Sequence, residues 1–184
     1  MKTPVLFIQG ATEEGYREDH KLVDNLQANL GQAYQVHYPE MPDADNPKYV
    51  AWKNQIAKES AALEGKVVLV GHSLGASLLL KWLSEAPPDQ VIAGLFLLAP
   101  PYWDDPEWRM AEYVLRQDFA QALPVGLPVF FYHCEDDEVV PFAHLALYES
   151  HLPQATIRAQ ATGGHQFGDD LAQVAQDIKR LVGS

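Results

Sequence analysis

The chain holds a single cysteine, Cys134, among 184 residues, so no disulfide can close within it. That fits a reducing, cytoplasmic setting. Positive charge is scarce as well: 13 Lys and Arg stand against 25 Asp and Glu, a formal net charge of −12. Nucleic acid is thereby disfavoured as a partner, because its phosphates are held by Lys and Arg. Long apolar runs are missing. A membrane span needs ~20 such residues, whereas the longest candidate, Val91 to Ala99, contains Gly94 and ends at Pro100. The run Val5 to Ile8, bracketed by Pro4 and Gln9, is too brief for the core of a signal peptide. No dinucleotide or Walker glycine motif is present: Gly10 to Gly15 lacks the pattern and carries Glu13 and Glu14 where phosphate would sit. No histidine pair has metal-binding spacing beside a carboxylate, and the acidic run Glu135 to Glu138 lacks the glycine of a calcium loop. The expectation is a protein without metal or cofactor.

What is present alternates between two periods. Short runs rich in branched residues recur at Val5 to Ile8, Ala33 to Tyr38, Val67 to Val70, Val91 to Leu98, Val129 to Tyr132 and, more weakly, Ala155 to Ala161. The central ones are apolar on both faces, as in a parallel sheet covered on both sides. Helical stripes lie between them: Leu22, Val23, Leu26 and Leu30; Tyr49, Trp52 and Ile56; and Leu171, Val174, Ala175, Ile178, Leu181 and Val182. Leu74 to Leu83 is apolar nearly all round and predicts a buried helix. This alternation predicts a single α/β domain over residues 1–184, in three layers, with a mostly parallel sheet of about six strands flanked by helices. The longest connection, between Leu98 and Val129, carries Trp103 and Trp108 and predicts one helix from about Pro106 to Phe119. It is too short for a separate lid domain, but long enough to wall a pocket.

Gly71-His72-Ser73-Leu74-Gly75 joins a buried strand to a buried helix and matches G-x-S-x-G. A sharp strand-to-helix turn strains the serine backbone and lifts its hydroxyl above the carboxyl end of the sheet, where open parallel sheets bind ligands. The same five residues could simply cap a helix; the strand before and the helix after favour a nucleophile instead. A serine hydroxyl needs a base. Of seven histidines, His72 points away from its neighbour in such a turn. His20 and His151 read as surface, and His37, His133 and His144 read as structural. His165 lies in a loop with Gly163 and Gly164, after the last strand and before the last helix, where an imidazole can reach back over the sheet. The base needs a carboxylate to orient it. The run Glu135 to Glu138 follows the strand at Val129 and reads mostly as a solvated loop, but Asp137 or Asp136 stands in position for that role. The order is then Ser, Asp, His.

These residues resemble the α/β-hydrolase superfamily, over nearly the whole chain. Gly71 to Gly75 resembles its elbow, Gly163-Gly164-His165 its histidine loop, and Asp137-Glu138-Val139-Val140-Pro141 the D-x-x-V-P after its acid strand, which favours Asp137. Short length and the missing lid resemble the small serine hydrolases related to retinoblastoma-binding protein 9. The resemblance implies acyl transfer: Ser73 attacks a carbonyl, His165 carries the proton, Asp137 holds the imidazole, and water releases the acyl group. It also implies an oxyanion hole of two backbone N–H groups, from Leu74 and from Ala11 or Thr12. Many members carry His-Gly after the first strand; here Gln9-Gly10 replaces it.

The expected function is a carboxylesterase-like serine hydrolase of a small acyl substrate, with Tyr102 and Trp103 as pocket residues. A thioesterase, perhydrolase or lyase would use the same triad. A protein-interaction module on a hydrolase scaffold, with or without activity, is the other alternative, although nothing in the sequence indicates a protein partner.

Overall fold

Side-chain alternation along the central strands divides the core in two. In the computed structural model, which describes residues 2–183, six strands form one all-parallel sheet in the order β2-β1-β3-β4-β5-β6. They are β1 (Thr3–Ile8), β2 (Tyr34–His37), β3 (Val67–His72), β4 (Ile92–Leu98), β5 (Val129–Cys134) and β6 (Thr156–Gln160). Leu6, Ile8, Val67, Leu69, Leu95, Leu97 and Phe131 face one side. Val5, Phe7, Val68, Val70, Phe96, Leu98 and Tyr132 face the other. Successive strand residues point to opposite faces, so a strand apolar at every position needs a helical layer on each side. The helices are α1 (Glu13–Leu30), α2 (Tyr49–Ala61), α3 (Leu74–Glu85), α4 (Phe119–Ala122), α5 (Ala143–His151) and α6 (Ala172–Val182). Leu22, Leu26 and Leu30 of α1 and Val174 and Ile178 of α6 cover the Phe7 face. Trp52 and Ile56 of α2, the leucines of α3, and Leu145 and Tyr148 of α5 cover the Leu6 face. Among the described residues, no helix is long and apolar enough to cross a membrane. The described residues include no separate lid domain.

Helix α3 is buried from Leu74 through Ser84, as its composition predicts. It includes Lys81, whose ammonium donates to the Val114 carbonyl at 2.7 Å and lies 2.7 Å from Glu85. The connection after β4 departs from expectation. No helix runs from Pro106 to Phe119; the segment is a series of turns ending in the four-residue α4. Its polar groups are taken by other parts of the fold. The Val114 carbonyl goes to Lys81, and the Glu112 carboxylate accepts the Tyr49 N–H at 3.0 Å. Trp103 and Tyr113 pack edge to face, 4.9 Å apart. Tertiary partners thus override the local helical pattern.

Candidate functional site

Ser73 follows directly on β3 with φ 52° and ψ −122°, a strained conformation for a residue with a side chain. Its N–H donates to the Leu98 carbonyl at 2.8 Å, which ties the turn to the neighbouring strand. The flanking glycines make the turn sterically feasible. A Cβ at Gly71 would lie 2.7 Å from Cα of Ala76, and one at Gly75 would overlap the carbonyls of Ile8 and Gln9. Gly75 thereby lets the first turn of α3 press against the end of β1.

His165 and Asp137 meet across the loops that follow β6 and β5. Nδ1 of His165 lies 2.9 Å from Oδ2 of Asp137 and 3.1 Å from Oδ1. A carboxylate only accepts, so Nδ1 carries the hydrogen and, in the neutral ring, Nε2 holds the lone pair. The Asp137 side chain is fully buried. Its Oδ1 accepts the N–H groups of Val139 and Val140 at 2.8 and 2.9 Å. Burial by itself would raise the Asp137 carboxyl. Bonds from His133 and His165, the His165 charge and the Val140 N–H outweigh it and hold the group well below the ordinary carboxylate range. Ser73 and His165 line one cavity of about 430 Å³ together with Gly10, Ala11 and Glu18.

Glu135, Asp136 and Glu138 are exposed, as expected of a solvated loop, yet two of them also bind the histidine loop. Asp136 accepts the N–H groups of Gly163 and Gly164 at 3.2 and 2.8 Å, and Glu138 accepts the His165 N–H at 3.1 Å. Three consecutive carboxylates therefore hold the histidine loop at three points. His133, a strand residue by pattern, also touches this group: its Nε2 lies 3.0 Å from the Val140 carbonyl and 3.2 Å from Asp137.

His72 does more than pack beside the serine. Its Nδ1 lies 2.8 Å from Oδ1 of Asp19 and its Nε2 lies 2.9 Å from the His165 carbonyl. Both nitrogens face acceptors, an arrangement that the imidazolium form satisfies at both. Burial opposes that charge, and the Asp19 carboxylate overcomes it and raises the His72 pKa. The Asp19 carboxyl, which burial alone would raise, is lowered by His72. Asp19 also accepts the Gly10 N–H at 2.8 Å and the Gln166 side-chain amide at 3.3 Å. One buried ion pair thus joins the loop after β1, the serine turn and the histidine loop. No sequence pattern marked Asp19, because its partners lie 9, 53 and 147 residues away.

The pair has a definite pH signature. A raised His72 pKa adds stability that is complete below the unfolded value of ~6.5 and is lost as pH rises through the folded value. A lowered Asp19 pKa adds stability that is present above ~3.9 and is lost as pH falls. Asp19→Asn removes the carboxylate that sustains the buried His72 charge and should cost about 3–5 kcal/mol near pH 6. Urea unfolding at pH 6 and pH 9 checks this: the gap to the parent chain should narrow at the higher pH.

A second cavity, of about 400 Å³, is also lined by Ser73. Leu74, Pro101, Trp103, Trp108, Met110 and Tyr113 give it a mainly apolar wall. Trp103 shares this lining with Ser73, and Tyr102 does not. Tyr102 turns to a neighbouring cavity, where its hydroxyl lies 3.0 Å from Nε2 of His151. The cause is backbone anchoring: the Tyr102 N–H donates to Nδ1 of the buried His144 at 3.0 Å. Met110 and Tyr113 escaped the sequence reading, which named Trp108 only as part of a connection able to wall a pocket, because the segment has no period to group them. Among the described residues, no group of three His, Cys, Asp or Glu side chains could hold a metal ion.

In the loop after β1, Gln9 is buried. Its side-chain amide donates to the Gly10 and Thr12 carbonyls at 3.1 and 3.3 Å and accepts the Met41 N–H at 2.9 Å. The Thr12 N–H is committed to the Ala44 carbonyl at 2.7 Å.

Comparison with known proteins agrees with this fold. The ydeN gene product of B. subtilis is similar over 100% of both chains, with a TM-score of 0.81 at 19% identity. SOBER1 of Arabidopsis thaliana is similar over 99% of this chain and 100% of its own, with a TM-score of 0.71 at 15% identity. The meta-cleavage product hydrolase CumD of Pseudomonas fluorescens IP01 is similar over 98% of this chain and 90% of its own, with a TM-score of 0.72 at 15% identity. No curated protein sequence matches the chain. The serine hydrolase family profile matches residues 10–173. With that match over nearly the whole chain, and with its six-stranded parallel sheet, this protein belongs to the serine hydrolase family of the α/β-hydrolase superfamily.

Proposed function

We propose that the chain is a carboxylesterase-like hydrolase that works through Ser73, His165 and Asp137 and a covalent acyl-enzyme. The observation that carries this reading is the buried Asp137 carboxylate on Nδ1 of His165, in a loop that shares its cavity with the strained Ser73. Nε2 of His165 takes the hydroxyl proton as Ser73 attacks the carbonyl carbon. The C–O bond to the leaving group breaks as His165 returns that proton to it. Water then attacks the acyl-enzyme with His165 as base and regenerates Ser73.

The negative oxygen of the tetrahedral intermediate is held by the N–H groups of Leu74 and Ala11. Ala11 is preferred to Thr12 because the Thr12 N–H already serves Ala44. Gln9 supports the choice. The Gly10 carbonyl and the Ala11 N–H belong to one planar peptide unit and point in opposite directions. By binding that carbonyl, Gln9 fixes the direction of the N–H.

His165 protonates the leaving group, so the leaving group lies on the His165 side of the serine and the acyl group on the other. The acyl side is the cavity walled by Trp103, Trp108 and Tyr113, which suits an uncharged, apolar acyl group. Glu14 and Glu18 border the leaving-group side and disfavour a phosphate-bearing thiol such as coenzyme A. Neutral p-nitrophenyl esters should therefore react faster than the coenzyme A thioester of the same acid. A fluorophosphonate probe tests the nucleophile directly: it should form an adduct on the peptide that contains Ser73. An intact Ser73 peptide after exposure would refute the reading.

A further inference from the structure

Trp103 is the one residue shared between the lining of the apolar cavity beside Ser73 and that of the Tyr102 cavity. On one side it lines the apolar cavity beside Ser73. On the other it lines a cavity of about 350 Å³ with Tyr102, Leu115, Phe119 and His151. The indole is not a free rotor. Its N–H donates to the Ser77 hydroxyl at 2.8 Å, and that hydroxyl donates in turn to the Leu74 carbonyl at 2.9 Å. Ser77 is only 1% exposed on α3. The rings of Tyr113 and Trp108, with centroids 4.9 and 5.8 Å from Trp103, close in around it, and the His144 bond anchors the preceding backbone at Tyr102. The indole is a partition fastened at its polar edge and braced by neighbouring rings.

We propose that Trp103 sets the upper length of the acyl group, by ending the Ser73 cavity short of the second one. The proposal rests on the reading of Ser73 as the acyl acceptor. An acyl chain that outgrows the first cavity has two courses. It can push the indole aside, which breaks the bond from its N–H to Ser77. Otherwise its end must stay out of the pocket and forfeit burial. Either course penalises each added methylene beyond the limit, so reactivity should fall steeply with chain length in the parent protein. Without the indole the two cavities join, and the rings and side chains of Tyr102, Leu115 and Phe119 offer the longer chain a further apolar wall.

The test uses p-nitrophenyl esters from acetate to dodecanoate, with fluorophosphonate labelling of Ser73 run in parallel. In Trp103→Ala the ratio of kcat/KM for decanoate over butyrate should rise about tenfold or more, the scale on which pockets discriminate chain length. Trp103→Phe keeps a ring in the wall but shortens it and removes the N–H, so it should shift the ratio in the same direction by less. Leu115→Trp added to Trp103→Ala refills the far cavity and should return the preference to short chains. If Trp103→Ala does not fold, Trp103→Phe decides. A parent-like chain-length profile in folded, labelled Trp103 variants would overturn the proposal alone. Failure of the parent chain to label would overturn it together with the reading of Ser73.

Discussion

Ser73→Ala should fold as the parent does and lose up to about 10⁶ in kcat. The substitution removes one atom. The positive φ of residue 73 is imposed by the turn, and the bond from its N–H to Leu98 does not involve the side chain. Thermal unfolding should therefore be nearly unchanged. The loss falls on chemistry, since the nucleophile and the acyl-enzyme go together. Binding of an apolar ester in the cavity against Trp103 and Trp108 should survive, because that wall is untouched. Esterase activity of the purified variant within tenfold of the parent would remove Ser73 from the mechanism.

Asp137→Asn should lower kcat by about 10⁴, the scale on which misdirecting the imidazole acts in other triads. The amide has one acceptor oxygen where the carboxylate has two. Oδ1 of Asp137 serves the N–H groups of Val139 and Val140, and Oδ2 faces His165 and His133. If the amide oxygen keeps the backbone donors, its NH₂ faces His165 and favours the tautomer with hydrogen on Nε2, which cannot accept the serine proton. Asp136→Asn is the control. Asp136 binds the N–H groups of Gly163 and Gly164 through both oxygens, so an amide retains part of that contact and a much smaller loss is expected. Comparison of kcat for the two variants decides between the neighbours. A larger loss in Asp136→Asn would assign the orienting carboxylate there.

The order of strands and helices was legible in the chain because buried β-strands and amphipathic helices impose periods of 2 and 3.6 on composition. Val67 to Val70 and the leucines of α3 carry that signal most strongly, and Gly71 and Gly75 mark the turn between them through steric demands confined to a few residues. The order of the six strands across the sheet, by contrast, is set by long-range pairing.

Where contacts are distant, the tertiary structure alone decided. The pairing of Asp19 with His72 spans 53 residues, and no local pattern shows that a helix carboxylate will meet an imidazole at a strand end. The segment from Pro106 to Phe119 has helix-compatible spacing, yet Lys81 and Tyr49 claim its polar groups, and their pull exceeds weak local propensity. The carboxylates beside Asp137 are exposed, as a solvated run should be, but charge patterning records composition and could not show which donors they meet. Only the fold brings the N–H groups of Gly163, Gly164 and His165 within their reach. The difference between Tyr102 and Trp103 has the same origin: Trp103 also reaches the cavity beside Ser73 and Tyr102 does not, because His144 and Ser77, distant in sequence, hold one backbone and one ring.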